Sequence, residues 1–313
     1  MFYVAHRLFA AHDRELGALV AAALADRTGL DRVFLPFCDT DEEQLHADVK
    51  GKRLFDLDCA RLPGLYGMLA ILHGPSLDDG VCMEIGYAAA LTIPIIVFTT
   101  DFQTYGHHQA GQHLAFADPL VEAVVDDIVR TSRLDPPADD TANRLEAYRR
   151  RNRGQVHRGI NQAVDLLLDR AHPPRPPNTP RPRAGHVFAE PSPYQPGPGW
   201  TAHRDALAAS SARLHEPQRF SADDPVVAAR DDWARALRCE SMHLDVSGPE
   251  TPPGAAMLIG AAIALGRPAT AYTPQTSWTF ADGREPNWRN LMIQYGVSAL
   301  VTDADQPALP TPA

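Results

Sequence analysis

The sequence predicts an α/β protein made of two parallel sheets, each covered by helices on both faces. Three observations carry this: strand-like apolar runs alternate with helical stretches, the strands are apolar at successive positions (Ile-Pro-Ile-Ile-Val-Phe at 93–98), and the chain matches itself at a shift of 174 residues. A strand apolar at every position has no water-facing side, so it belongs in a parallel sheet with helices on both faces. The length of 313 residues suits two such units, each able to bury its own core.

Taken in order, Phe2–Ala5 reads as a short strand, 13–25 as a helix with Leu16, Leu19, Val20 and Leu24 along one side, and 33–36 as the second strand. A helix through 52–62, a strand at 68–72, a helix over 82–91 and the strand Ile95–Thr99 follow. Leu145, Tyr148, Ile160, Ala163, Val164, Leu167 and Leu168 recur at helical spacing across 141–171, with charge on the other faces. Its basic run at 149–153 reads as a solvated face or a clamp between the halves, because the chain as a whole is acidic. Proline makes up 28 of the 313 residues, and 172–183 (HPPRPPNTPRPR) concentrates it into a semi-rigid linker. The expected organisation is a catalytic domain over 1–132, a connecting helix and Pro-rich linker over 133–184, and a second domain over 185–313. In each doubly wound sheet, ligands belong beyond the carboxyl ends of the strands, where the strand order reverses.

Composition excludes several classes of function. Acidic residues outnumber basic ones 39 to 29, for a formal charge of −10, so the phosphate-neutralising footprint of a binder of polymeric nucleic acid is missing. Cys38, Cys59, Cys82 and Cys239 form no CxxC pair, which points to a reduced, cytoplasmic setting rather than a disulfide framework. No apolar run reaches the roughly 18 to 20 residues of a membrane span, and charges fall where a leader's apolar region would lie, so a soluble protein with no membrane partner is expected. There is no glycine-rich dinucleotide loop or P-loop. No His/Cys/carboxylate group has metal-ligand spacing, and His107-His108 reads as a solvated turn. Neither cofactor nor metal is expected.

The internal match carries most information. HGPSLDDGVCMEIGYAAALTIPIIVFTT falls on SGPETPPGAAMLIGAAIALGRPATAYTP without a gap; Gly74, Pro75, Gly80, Met83, Ile85 and Gly86 find identical partners, and upstream Asp58 meets Asp232. Such a register points to duplication. The copies differ in their acids: Asp78, Asp79 and Glu84 become Pro252, Pro253 and Leu258. Loss from one copy alone suggests one working site and one scaffold half, although Asp78 and Asp79 also suit simple helix capping.

Gly80 permits a tight strand-to-helix turn, and the spacing puts Glu84 in the first turn of the helix, where free N–H groups would keep a carboxylate ionised. An ionised carboxylate in a shaped pocket is a nucleophile toward an electrophilic sugar carbon. Asp58 and Asp78 would stand near it, and crowding of like charges would let one of them hold or pass the proton a leaving base needs. These residues alone name no substrate.

Together, Tyr3-Val-Ala-His-Arg-Leu-Phe9, Asp58 sixteen residues before Gly74, and Asp78-x-Gly80-x-x-x-Glu84-x-Gly86-Tyr87-Ala88 resemble the nucleoside 2-deoxyribosyltransferase family, over about residues 1–130. The resemblance implies a flavodoxin-like (Rossmann-like) fold, Glu84 as nucleophile at C1′, and Asp58 and Asp78 as the acids that handle the base and position the sugar. It gives Tyr3 the role of supporting the nucleophile and Phe9 that of packing against the base, beside Gly80 and His6. In the family a neighbouring subunit completes each site with an Asn-containing segment, which Asn290-Leu-Met-Ile-Gln-Tyr-Gly-Val resembles; the first half has Gln112-His113-Leu114 at the comparable place. This implies a covalent pseudo-dimer in which the degenerate copy lends Asn290 to the Glu84 pocket, with a helix cap as the plain alternative for Asn290.

Two departures from the family pattern lie near the pocket: His6-Arg7 replaces a small Gly-Pro, and His73 stands where an Asp is common. His6 and Arg7 would suit a phosphate or an acidic group, or simply the surface. Cys82 reads as a buried structural thiol. The expected partners are a small nucleoside or nucleotide and a free nucleobase, the expected assembly a monomeric pseudo-dimer or a homodimer. The expected activity is base exchange with retention. Alternatives are a nucleoside or nucleoside 5′-monophosphate N-glycosidase using the same Glu, and a non-catalytic nucleotide-sensing module.

Overall fold

Alternating strands and helices wind into two five-stranded, all-parallel sheets. The computed structural model describes residues 1–40, 50–106, 113–133, 143–176, 179–194, 197–210, 212–276, 278–280 and 285–305. The first half comprises β1 (Phe2–Ala5), α1 (Ala11–Thr28), β2 (Val33–Phe34), α2 (Lys50–Arg61), β3 (Gly67–Ile71), α3 (Asp79–Ala90), β4 (Ile95–Thr99), α4 (Pro119–Val124), β5 (Asp127–Arg130) and α5 (Arg144–Arg170). The second comprises β6 (Arg183–Glu190), α6 (Pro198–Ala209), β7 (Arg213–His215), α7 (Pro225–Ala236), β8 (Cys239–Asp245), α8 (Pro253–Ala264), β9 (Ala269–Tyr272), α9 (Leu291–Gly296) and β10 (Ala299–Val301).

The sheet orders are β2-β1-β3-β4-β5 and β7-β6-β8-β9-β10, the same winding twice. In each, the chain reverses its direction of travel between the first and third strands of the half, which opens a crevice at their carboxyl ends. The pairing Tyr3↔Met68 in one sheet and Phe188↔Met242 in the other aligns the two halves strand by strand.

The helices differ from their sequence-based bounds for local reasons. α3 starts at Asp79 rather than 82, because the Asp78 carboxylate accepts from the Val81 N–H at 2.9 Å and caps the first turn. α5 starts at Arg144, where Asn143 Oδ1 accepts from the Leu145 and Glu146 N–H groups, both at 3.2 Å. The long helix is no clamp between the halves: Ile160, Ala163, Val164 and Leu167 pack with α1 on the outer face of the first sheet against Val4, Leu69, Ile96 and Phe98. Its basic run stays largely in solvent. Part of the proline-rich segment is anchored too, since Arg267 Nη2 donates to the Pro180 carbonyl at 2.5 Å. His107 and His108 lie outside the described residues.

The inner faces of both sheets share one core, running from Tyr3, Leu54 and Val97 through Met83, Met257 and Ile259 to Phe188 and Leu244. α3 and α8 form its centre and touch backbone to backbone. A Cβ on Gly86 would sit 1.9 Å from the Met257 carbonyl oxygen, and one on Gly260 would sit 1.9 Å from that of Met83. Both pairs obey the 174-residue shift, so the contact is reciprocal about a local two-fold axis. Ser76 Oγ donates to Glu250 Oε2 at 3.1 Å, joining two positions that are each other's counterparts across the same axis. The two sheets therefore pair as subunits of a symmetric dimer do, within one chain.

Candidate active site

β1 directs Tyr3 into the shared core, where its hydroxyl donates to Glu84 Oε1 at 2.6 Å. Burial and the neighbouring acids push the Tyr3 phenol well up, so it keeps its proton and acts as a fixed donor. Glu84 is buried. It falls in the second turn of α3, beyond the free N–H groups of the helix end. The expectation that the helix terminus would keep it ionised is therefore corrected: desolvation first, then the charge of Asp58, hold its carboxyl well above the usual range, with only the Tyr3 hydrogen bond working the other way.

α2 brings Asp58, also buried, to the same place. Asp78 caps α3 at the rim, and burial raises its carboxyl against the opposing pull of the Val81 N–H and of Arg7, whose Nε lies 4.0 Å from Asp78 Oδ2. Capping and pocket lining are thus both true of Asp78. Asp79 points instead toward the second half, where its Oδ2 accepts from the Thr251 N–H at 3.4 Å, and burial beside Asp78 pushes it up to about 7.

Asn290 crosses over from the second half. It caps α9, accepting from the Met292 N–H at 3.0 Å, and lies over the first turn of α3 so closely that a Cβ on Gly80 would come within 2.8 Å of its Nδ2. The cap and the site-forming position are one arrangement. The counterpart of Asn290 in the first half is Asp118, the cap of α4, which accepts from the Leu120 N–H at 2.9 Å. This corrects the pairing with 112–114; Gln112 lies outside the described residues.

Around these groups a cleft of about 450 Å³, open to solvent, is lined by His6, Phe9, Asp58, Asp78, Glu84 and Asn290, with Leu8, Pro36, Val81, Leu291 and Met292 supplying apolar walls. A few convergent polar groups set among apolar walls are the composition of a small-molecule site. Phe9 stands exposed on the rim. His6 is buried over Gly17, its Nδ1 is 2.8 Å from the Arg7 carbonyl oxygen, and desolvation lowers its affinity for a proton. Arg7 Nη2 donates to Glu250 at 3.0 Å. Cys82 is buried beneath the site, its thiol pushed well up by desolvation, which makes it inert packing.

A larger cleft of about 1300 Å³ continues outward from Phe9, Asp78 and Asn290 to Glu250, Phe280, Trp288 and Arg289. Sequence reasoning missed these second-half residues. Glu250 carried a signal, since the 174-residue shift pairs it with Ser76 beside the acids; Phe280 and Trp288 had none.

Fold and site together define a doubly wound α/β protein with a carboxylate-built pocket at a strand-order switch point, walled by both halves of the chain. Residues 2–124 match the family model of the nucleoside 2-deoxyribosyltransferases. No curated protein gives a significant match to the chain. The family is one of glycosyl transfer on nucleosides, so the substrates it implies are small molecules. Among the described residues, no helix is long and apolar enough to cross a membrane.

Proposed function

We propose that the protein exchanges the base of a 2′-deoxynucleoside through a covalent intermediate on Glu84, with the second half acting as a built-in partner subunit. The observation that carries this reading is the buried Glu84 carboxyl, fixed by the Tyr3 hydroxyl at 2.6 Å and sharing one cleft with Asp58, Asp78 and Asn290. The 174-residue register, the repeated strand order and the reciprocal α3–α8 contact support an origin by duplication.

Burial and the charge of Asp58 raise the affinity of Glu84 for a proton, and a protonated carboxyl does not attack, so Glu84 first gives up its proton to solvent as substrate binds. When substrate binds, an aspartic acid, Asp58 or Asp78, gives its proton to the base nitrogen as the C1′–N bond breaks and its electron pair leaves with the base. Glu84, as carboxylate, forms the C1′–O bond, and Tyr3 donates to its other oxygen. A second base then attacks C1′ from the original face. The C1′–O bond breaks, Glu84 leaves as carboxylate, and the incoming base returns its proton to the aspartate. Two inversions give net retention.

A nucleoside fits better than its 5′-monophosphate. Arg7, at the edge of the pocket, is already paired with Glu250 and lies beside Asp78, while burial lowers the affinity of His6 for a proton. A phosphate dianion there would face Asp78 and Glu250, while Arg289 in the outer cleft is turned to the carbonyl oxygens of Val246 and Gly248.

The test is incubation of the full chain with deoxyinosine, with and without adenine. Appearance of deoxyadenosine supports exchange. Free deoxyribose alone, unaffected by adenine, assigns the site to hydrolysis. Base release that persists in Glu84→Ala removes Glu84 from the reaction.

A further inference from the structure

The second half has its own crevice at the place equivalent to the Glu84 pocket, and the polar groups there differ in kind. Gly254 corresponds to Gly80, Asp232 to Asp58, Leu258 to Glu84, and Asp118, crossing from the first half, to Asn290. Strand register adds Glu190 of β6, at the position of Ala5. In the space between them lies Arg219, completely buried.

Arg219 comes from the loop after β7; in the first half, the loop after β2 contributes Pro36 to the Glu84 cleft. Its Nε and Nη2 donate to both oxygens of Asp118, at 2.8 and 3.1 Å, and its Nη1 donates to Glu190 Oε2 at 3.2 Å, with a further bond from Nη2 to Glu190 Oε1. Asp232 Oδ2 lies 3.8 Å from Nη1 and accepts the Arg219 N–H at 3.1 Å, which fixes the loop. The N–H of Gly254, in the first turn of α8, donates to Asp118 Oδ2 at 2.9 Å. A Cβ on Gly254 would meet Arg219 Nη2 at 2.3 Å, just as one on Gly80 would meet Asn290. Three carboxyls face the Arg219 guanidinium, with Arg235 reaching only Asp232, at 3.5 Å, and burial holds Glu190 up to about 7 despite Arg219.

We infer that the second half's counterpart of the Glu84 pocket is a guanidinium site filled permanently by the chain's own Arg219. The plug closes the second crevice to any substrate and ties Asp118 of one half to Glu190 and Asp232 of the other. Each chain then offers one pocket, not two. A buried arginine paired with carboxylates from two elements gains from its flat, bidentate fork, and removing it leaves Asp118 and Glu190 buried without their cation, while Asp232 keeps Arg235 at 3.5 Å.

The test is Arg219→Ala with guanidinium supplied in solution, followed by thermal unfolding of the full chain. The expected result is a variant melting well below the parent, by 10 °C or so, and recovering several degrees in about 20 mM guanidinium chloride but not in the same concentration of sodium chloride; the parent gains nothing from either salt. If the variant does not fold alone, refolding is compared in the two salts, and recovery must be specific to guanidinium. A folded variant indifferent to guanidinium, or refolding that responds to both salts equally or to neither, overturns the inference. Because no nucleoside enters this experiment, its outcome is independent of the activity proposed above.

Discussion

Gly86→Ala is the substitution whose consequence follows most directly from the backbone. The new methyl would lie 1.9 Å from the Met257 carbonyl oxygen, where ordinary contact needs 3.4 Å or more, so α3 and α8 must part by roughly 1.5 Å. The obstacle is main chain and cannot swing aside. Overpacking of a core costs about 1–3 kcal/mol where side chains yield, and here the parting also loosens Met83, Met257 and Ile259, all fully buried. Against this stands about 1 kcal/mol gained by replacing glycine with alanine within a helix. With overpacking at the upper end of its range, the net expectation is about 2 kcal/mol of destabilisation. Gly260→Ala should match it, since its methyl meets Met83 in the reciprocal contact. The pair should not add: helices already parted for one methyl admit the other, so the double variant should fall short of the sum by about 1–2 kcal/mol. Urea unfolding of both single variants and the double measures this, with Gly64→Ala, whose added Cβ meets nothing within 4 Å, as control. Single effects below about 1 kcal/mol, or an additive double, would refute the backbone contact described here.

Three other expectations concern the site. Tyr3→Phe removes the only hydrogen bond that opposes protonation of Glu84; a bond to a charged group is worth about 1.5–3 kcal/mol, so kcat for base release should fall roughly 10- to 100-fold, with the rising limb of the pH–rate profile moved to higher pH. Asn290→Ser retains a side chain able to cap α9 but withdraws the amide from Gly80, so urea stability should change by less than about 1 kcal/mol while kcat/KM for a nucleoside drops; an equal loss of both would make Asn290 a cap alone. Asp79 is ordinarily ionised above 3.8 but holds its proton up to about 7 in the fold. Between those values the folded state binds more protons than the unfolded one, so stability falls as pH rises through the window and levels off above it. Asp79→Asn should therefore lose less stability than the parent between pH 5 and pH 8, by urea midpoints at the two values.

Much of the fold was legible because its signals are local. Continuous apolar strands named a parallel sheet, and the 174-residue self-match announced that the winding occurs twice. The acids of the site could be gathered from the same stretch, Asp78 and Glu84 being held on one helix while Asp58 and Tyr3 reach it from neighbouring elements. What local patterns could not show was electrostatic. Whether Glu84 is ionised depends on how deeply it is buried and on the charge of Asp58, and one turn of helix separates a carboxylate stabilised by free N–H groups from one whose affinity for a proton is raised. The Arg219 cluster was invisible for a related reason: Asp118, Glu190, Arg219 and Asp232 are scattered over more than a hundred residues, and only the local two-fold axis brings them together. The family resemblance pointed to Asn290, but its true counterpart, Asp118, could be found only through the capping geometry of α4 and α9.

The central claim is that Glu84 bonds to an anomeric carbon. Incubation with a 2′-deoxy-2′-fluoroarabinosyl nucleoside, whose fluorine disfavours the positively charged transition states, followed by intact-mass measurement and peptide mapping, tests it. The expected result is one fluorinated sugar per chain, on the peptide containing Glu84, with release of the base. Base release with no adduct, or an adduct on any other residue, contradicts it.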